Sequence, residues 1–181
     1  MKATGIVRRI DELGRIVIPK EIRRTFKIKE GTPLEIFCGD NDELVLKKYS
    51  MLNEIKDFAS EICTALFTTL SLPVVICDKD KIVAVSGISK SLMLNKNIST
   101  RLEKQMDTRK DIILNKLDGD NMLNIIDGEE IECFAEVIVP ILSSGDVYGA
   151  IVCFTKEQSK LGNTEKSVLK GMANFLAEQL T

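Results

Sequence analysis

The 181-residue chain contains no histidine. Histidine is the usual general base of nucleophilic catalysis and a common zinc ligand, so its absence excludes Ser-His-Asp and Cys-His mechanisms and imidazole-containing zinc sites. An enzyme built on this chain would have to use carboxylates, lysine or a cofactor. We therefore expect a protein that is not an enzyme and has no catalytic residues.

The five cysteines lack the C-x-x-C spacing that brings two thiolates to one metal. Each has an apolar residue beside it, as is typical of a buried structural cysteine. We expect reduced core residues, and we predict neither a metal site nor a cofactor. The cysteines are Cys38, Cys63, Cys77, Cys133 and Cys153.

Long apolar runs are also missing. No run reaches the ~20 residues that a membrane-spanning helix requires. The N-terminal stretch MKATGIVRR lacks the apolar segment of about 7 to 15 residues that follows the positive charge of a secretory signal. We expect a soluble, cytoplasmic protein with no membrane partner.

The net charge of −2 conceals an asymmetry along the chain. Residues 1–30 hold nine basic and four acidic side chains, a net charge of +5, which leaves −7 for the remainder. The affinity for phosphates depends on where positive charge is concentrated rather than on the total. The basic end therefore predicts a local surface that binds a polyanion.

The first fifty residues alternate short β-rich runs with turn signals. Pro19 ends the second run, and its fixed φ suits the first turn of a helix. A unit this small buries too little apolar area to offset ~1–2 kcal/mol of backbone entropy per residue, so we expect an obligate dimer with one shared core. The predicted elements are strands at 4–10 and 15–18, a helix at 20–26, and strands at 33–38 and 43–49. The predicted shared core is Ile6, Ile10, Ile16, Ile18, Ile22, Phe26, Leu34, Ile36, Leu44 and Leu46.

The segments TGIVRRIDELGRIVIPKEIRRTF and LEIF…LVLKKY resemble the N-terminal domain of the AbrB-type transition-state regulators. This resemblance implies a swapped-hairpin fold, in which two chains interleave their strands into a dimeric β-barrel-like body that binds DNA. The family's DNA-contacting arginines fall on Arg8, Arg15, Arg23 and Arg24, and Arg9 stands where a basic residue is also usual.

The residues alone leave a second interpretation of the helix open. Arginine suits DNA because its planar fork binds a phosphate or a guanine edge bidentately. Arg23 and Arg24 could instead only solvate a helix face, paired with Glu21 or Glu30.

The remaining residues predict an α+β domain with helices on an antiparallel sheet. We divide the chain into a DNA-binding domain at 1–50, a linking helix at 51–71 and a second domain at 72–181; the helix could pass motion between the domains or simply pack on the second. Predicted strands lie at 72–78, 81–87, 121–126, 131–142 and 147–156, with a helix at 99–107. A final helix begins near Thr164, with Val168, Met172, Phe175, Leu176 and Leu180 on one face.

The stretches VVICDKDKIVAVSG and VPILSSGDVYGAIVCFTK are similar to those of a GAF domain. This resemblance implies a domain that binds a small molecule, of unknown identity, or that mediates oligomerisation. The combination of an AbrB-like N-terminal domain and a GAF-like second domain is similar to a family of sporulation transcription regulators of endospore-forming bacteria. This similarity implies both activation and repression of genes, and it implies a homotetramer. A swapped-hairpin antitoxin remains the alternative function.

Overall fold

The structure is a computed structural model that describes residues 4–40 and 42–180. The chain divides into two compact units, Met1–Tyr49 and Ser50–Thr181. Within the described residues, no helix combines the length and the apolar character needed to cross a membrane.

The first unit contains a short helix and one hairpin. α1 spans Lys20–Thr25, and the antiparallel strands β1 and β2 span Leu34–Cys38 and Leu44–Lys48. Their register pairs Ile36 with Leu46. The predictions of this helix and of these two strands are confirmed.

The strands predicted at 4–10 and 15–18 do not form in the single chain. The turn between them is present: Gly14 N–H donates to the Asp11 carbonyl at 2.9 Å, and Asp11 N–H donates to the Arg15 carbonyl at 3.1 Å. A β-branched run becomes a strand only when its backbone groups find a partner ladder. The described part of this chain supplies no such partner for either run, so the prediction of two strands is wrong for the isolated chain.

The second unit is built on a five-stranded antiparallel sheet, as the α+β prediction requires. The strands are β3 (Val74–Asp78), β4 (Ile82–Ser86), β5 (Ile112–Asn115), β6 (Ala135–Ser143) and β7 (Asp146–Thr155). In space they follow the order β4-β3-β7-β6-β5. The two longest strands, β6 and β7, are paired, and their register aligns Ala135 with Thr155.

Helices cover both faces of this sheet, so successive strand residues are buried on opposite sides. One apolar cluster joins the sheet to α2, α3 and α6, and a second joins its other face to α4, α5 and the segment 116–134, which we call the strap. The strap begins with a 3₁₀ turn at Lys116–Asp118. The helices are α2 (Met51–Glu54), α3 (Lys56–Leu70), α4 (Lys90–Met93), α5 (Thr100–Asp107) and α6 (Asn163–Glu178).

The predicted linking helix is two helices that belong to the second unit. The helix is interrupted at Ile55, which separates α2 from α3. α3 buries Ala59, Ile62, Cys63 and Leu66 in the first cluster of the second unit. The residues 51–70 therefore pack as part of this unit.

The strand predicted at 121–126 is wrong. β5 at Ile112–Asn115 takes the edge position beside β6, and residues 121–126 run through the strap. Ile125 and Ile126 are each 2% exposed in the second cluster. This run is apolar because it is buried, not because it pairs, and periodicity alone does not separate the two cases.

The buried face of α6 is turned relative to the predicted one. Phe175 is 44% exposed and lies against Phe58 of α3, with ring centroids 5.6 Å apart. The buried residues at this end of the chain are Leu169, Ala173, Leu176, Ala177 and Leu180.

Candidate nucleic-acid interface

Arg8 and Arg9 lie in the segment that leads into the first turn of the chain. This segment has no regular secondary structure, and every residue from 4 to 17 is exposed. Within the described residues, neither guanidinium group has an ion-pair partner. Both positive charges are therefore available to an external anion.

Arg15 is fixed at the end of that turn by Asp11. The Asp11 Oδ1 accepts the backbone N–H groups of Leu13 and Arg15 at 3.0 and 2.8 Å, and its Oδ2 accepts the Arg15 Nε at 2.8 Å. The Arg15 backbone and guanidinium hold the pKa of Asp11 below its ordinary value. Since the side chains are 70% and 42% exposed, this ion pair is weak and can yield to a phosphate.

Arg23 and Arg24 lie in the last turn of α1. Pro19 starts the helix, because its carbonyl accepts the Arg23 N–H at 2.9 Å, and a positive φ of 51° at Lys27 follows its end. Both arginine side chains are exposed, and the described residues provide no ion pair to either. Pairing with Glu21 or Glu30, the second interpretation of the sequence, is not observed.

The apolar residues of the first unit are not buried in the single chain. No described residue of this unit is buried, and several members of the predicted shared core are about half exposed. Ile10 is 63% exposed, Ile36 65% and Leu44 64%. A folded domain normally buries such side chains. The first unit of a single chain therefore does not cover its own apolar surface.

The second unit has a cavity of about 350 Å³ between the β6–β7 turn and α6, and another of about 180 Å³ beside its strap. The cavity beside the strap is lined by three apolar side chains, three glutamates and one lysine. The lining consists of Ile88, Leu92, Glu129, Glu130, Ile131, Glu132 and Lys156.

Four of the cysteines are buried as predicted, but Cys38 is exposed on β1. It lies in the first unit, where no described side chain is buried, and the sequence pattern does not reveal this. Burial raises the pKa of the Cys63, Cys77, Cys133 and Cys153 thiols to about 12, so these groups are inert. Among the described residues, no group of three or more His, Cys, Asp or Glu side chains could hold a metal.

Sequence reasoning missed Glu136, which is completely buried on β6. Its signal is a single acidic residue inside the otherwise apolar run AEVIVPIL. A charged residue type within a buried strand indicates either a paired group or a functional one.

Each of the two units matches a known protein family. A family model described as stage V sporulation protein T C-terminal, transcription factor, matches residues 54–181, and one described as antidote-toxin recognition MazE, bacterial antitoxin, matches residues 7–52. The chain is 48% identical to stage V sporulation protein T of Bacillus subtilis (strain 168) over 180 residues, 99% of each chain.

Two further relatives each match one part of the chain. The transition state regulatory protein AbrB of the same organism is 59% identical over 49 residues, 27% of this chain and 50% of its own. The GAF domain of an Acinetobacter phosphoenolpyruvate-protein phosphotransferase superposes with a TM-score of 0.57 at 14% identity, covering 74% of this chain and 84% of that one, which shows the fold alone. An AbrB-like N-terminal unit thus precedes a GAF-like unit, and the chain belongs to the stage V sporulation protein T family of transcription factors.

Proposed function

We propose that this regulator of sporulation binds double-stranded DNA through Arg8, Arg9, Arg15, Arg23 and Arg24. The observation that carries the proposal is that all five side chains are exposed on the most basic segment of the chain. Four of them have no ion-pair partner among the described residues, and the fifth is held only by an exposed pair with Asp11. Guanidinium groups in this state can exchange water for phosphate without breaking a buried contact.

The DNA-binding form is an obligate dimer of the first unit. Its support is the exposed apolar set, which in a single chain would lie against water. A second copy covers this set and supplies ladder partners for the unpaired runs 4–10 and 15–18. Two-fold symmetry then presents ten arginines to one duplex, which suits a pseudo-symmetric operator.

The second unit senses a small molecule or joins dimers into a homotetramer. Self-association is supported by the partly exposed rings of Phe67 on α3 and Phe175 on α6, which are 37% and 44% exposed. The shallow cavity beside the strap is the candidate entry point for a ligand. We propose no catalytic step, and we place the protein in the cytoplasm with the DNA that it regulates as activator and repressor.

The DNA-binding proposal is tested by mobility shift on a duplex selected from random sequence, over a range of salt. We expect a steep fall in affinity with salt, because each neutralised phosphate contributes about 0.9 to the logarithmic slope. Arg8→Ala, Arg15→Ala, Arg23→Ala and Arg24→Ala should each weaken binding and flatten the slope by about 2 per dimer.

Arg101→Ala is the matched control, since it removes one exposed arginine from α5 of the second unit. Affinity should not change in this variant. Sedimentation should show that every variant keeps the oligomeric state of the unmodified protein. Four arginine variants with the affinity of the unmodified protein would overturn the assignment.

The match of residues 7–52 to an antitoxin family model supports one alternative, a swapped-hairpin antitoxin. An antitoxin would require a toxin-binding segment after its N-terminal domain. Here the chain continues into a packed five-stranded domain instead. Co-purification with a small toxic ribonuclease would favour the alternative over the regulator.

Ligand binding by the second unit is tested by a thermal-shift screen of the full chain with nucleotides and amino acids. A ligand that binds the folded state raises the unfolding temperature in a concentration-dependent way. An unchanged unfolding temperature throughout the screen, together with a stable tetramer, would favour a purely oligomerising role.

A further inference from the structure

Glu136 places an acidic side chain in the interior of the second unit. It lies on β6, opposite Leu114 of β5 and Phe154 of β7, and its exposure is 0%. Alternate residues of a strand face the same side, so Glu136 faces the side of Ile138, which packs in the second cluster. This is the side that the strap covers.

One hydrogen bond joins the middle of the strap to this carboxyl. Leu123 N–H donates to the Glu136 Oε1. In the described part of the chain, residues 121–132 make no other hydrogen bond to a strand of the sheet. The remaining bonds in the middle of the strap run to the loop before α5, as from Ser99 N–H to the Ile125 carbonyl at 3.0 Å.

The other carboxyl oxygen is left without a partner. Glu136 Oε2 is buried and makes no hydrogen bond with the described residues, and the same is true of Asn124 Oδ1, which follows Leu123 in the strap. Both are acceptors when the carboxyl is ionised, so neither can satisfy the other. An added proton would turn the Glu136 carboxyl from an acceptor into a group that can also donate.

Among the described residues, no cationic side chain forms an ion pair with this carboxylate. The facing residues on the neighbouring strands, Leu114 and Phe154, do not titrate, and α5 contributes the apolar Leu102 and Met106. The titratable groups nearby are the Cys133 thiol, which precedes β6, and Lys116, which follows β5 and acts on that thiol.

We propose that Glu136 is a protonation-controlled latch, whose neutral carboxyl holds the strap closed on the sheet and whose ionised carboxylate loosens it. The neutral form keeps the bond from Leu123 and carries an O–H. The ionised form leaves a charged oxygen in an apolar interior, and opening of the strap would return that oxygen to water.

The direction of the pH dependence follows from linkage. Burial raises the pKa of Glu136 from an ordinary 4.5 to about 7, and the Leu123 N–H offsets this only in part. The closed state therefore binds the proton more tightly than the open state. Closure is strongest below the ordinary pKa, weakens as the pH rises towards 7, and is constant above it. Between pH 6 and pH 8 the closing equilibrium should fall about tenfold.

Hydrogen exchange on the full-length protein tests the latch. Amide protection of residues 119–132 is measured at pH 6, 7 and 8, corrected for intrinsic exchange, with α6 as the internal reference. We expect strap protection to fall about tenfold while α6 is unchanged. Glu136→Gln, which keeps the acceptor and removes the charge, should show protection independent of pH. Glu132→Gln, an exposed neighbour, should behave like the unmodified protein.

Two results would overturn the latch. One is strap protection that does not change between pH 6 and pH 8, and the other is an equal pH dependence in Glu136→Gln. If Glu136→Gln does not fold, carboxyl carbon NMR of the unmodified protein decides. One glutamate must then titrate near neutral pH together with the Leu123 amide, and the absence of such a glutamate refutes the proposal.

Discussion

Gly149→Ala should break the pairing at the centre of the second unit. Gly149 lies on β7, between Asp78 of β3 and Ile141 of β6. An added Cβ would lie 1.9 Å from the carbonyl oxygen of Cys77 and 2.7 Å from the Leu52 Cδ1. Leu52 can change rotamer, but a backbone carbonyl in a paired strand cannot move without its ladder.

The loss of stability in Gly149→Ala depends on which atoms must move to make room for the added Cβ. Overpacking of a core typically costs about 1–3 kcal/mol when side chains can adjust. Here the obstacle is the backbone of a central strand, so we expect the free energy of unfolding to fall by about 3 kcal/mol or more. The same clash would displace Leu52, which is 1% exposed and fixes α2 to the sheet.

The assay is urea unfolding of the full chain followed by far-UV circular dichroism, with the transition of the second unit fitted separately. Gly171→Ala is the matched control: it lies in α6, and, apart from its chain neighbours and its own helix backbone, no described atom lies within 4 Å of its added Cβ. It should stabilise by about 0.5–1 kcal/mol through helix propensity. A Gly149→Ala protein that unfolds within about 0.5 kcal/mol of the original, at equal slope, would refute the packing argument.

Three further outcomes are expected. Ser50→Ala removes the N-cap of α2 and the 2.7 Å bond from Ser50 Oγ to Asp78, so thermal unfolding should show a loss of about 1 kcal/mol; no loss would contradict this role. Gly87→Ala combines a φ of +78° with a Cβ 2.5 Å from the Phe67 ring, and urea unfolding should show a loss of about 1–3 kcal/mol. At pH 8, at least four of the five thiols should resist Ellman's reagent in the native protein, while all five react in denaturant; two fast thiols per chain would contradict the observed burial.

Strong local signals predicted much of the second unit. Its paired apolar runs gave four of the five strands, and α5 and α6 follow from their spacing of apolar residues. The edge strand β5 was missed because Ile112–Asn115 is short and follows a polar region, whereas residues 121–126 have the apolar composition of a strand. Which of two apolar runs pairs and which merely covers the sheet depends on tertiary packing, and no local pattern encodes that.

The candidate interface, too, could be predicted from the sequence only in part. The arginines and the Asp11 turn could be located from sequence, because charge and turn chemistry are local. The exposure of Cys38 and the unpaired runs could not, since both depend on what lies outside the single chain. Glu136 was overlooked because one acidic letter in an apolar run does not reveal that the strap closes over it.

The exposed apolar set of the first unit has a genetic consequence. A chain that has lost Arg15 or Arg23 keeps every apolar residue through which the proposed dimer forms, so it still pairs with a normal chain. At equal expression, random pairing leaves about one quarter of the dimers fully normal. Loss of one of the proposed DNA-contacting arginines should therefore be dominant over the normal allele. Loss of Ile36 or Leu44, which removes apolar area from the proposed dimer, should instead be recessive.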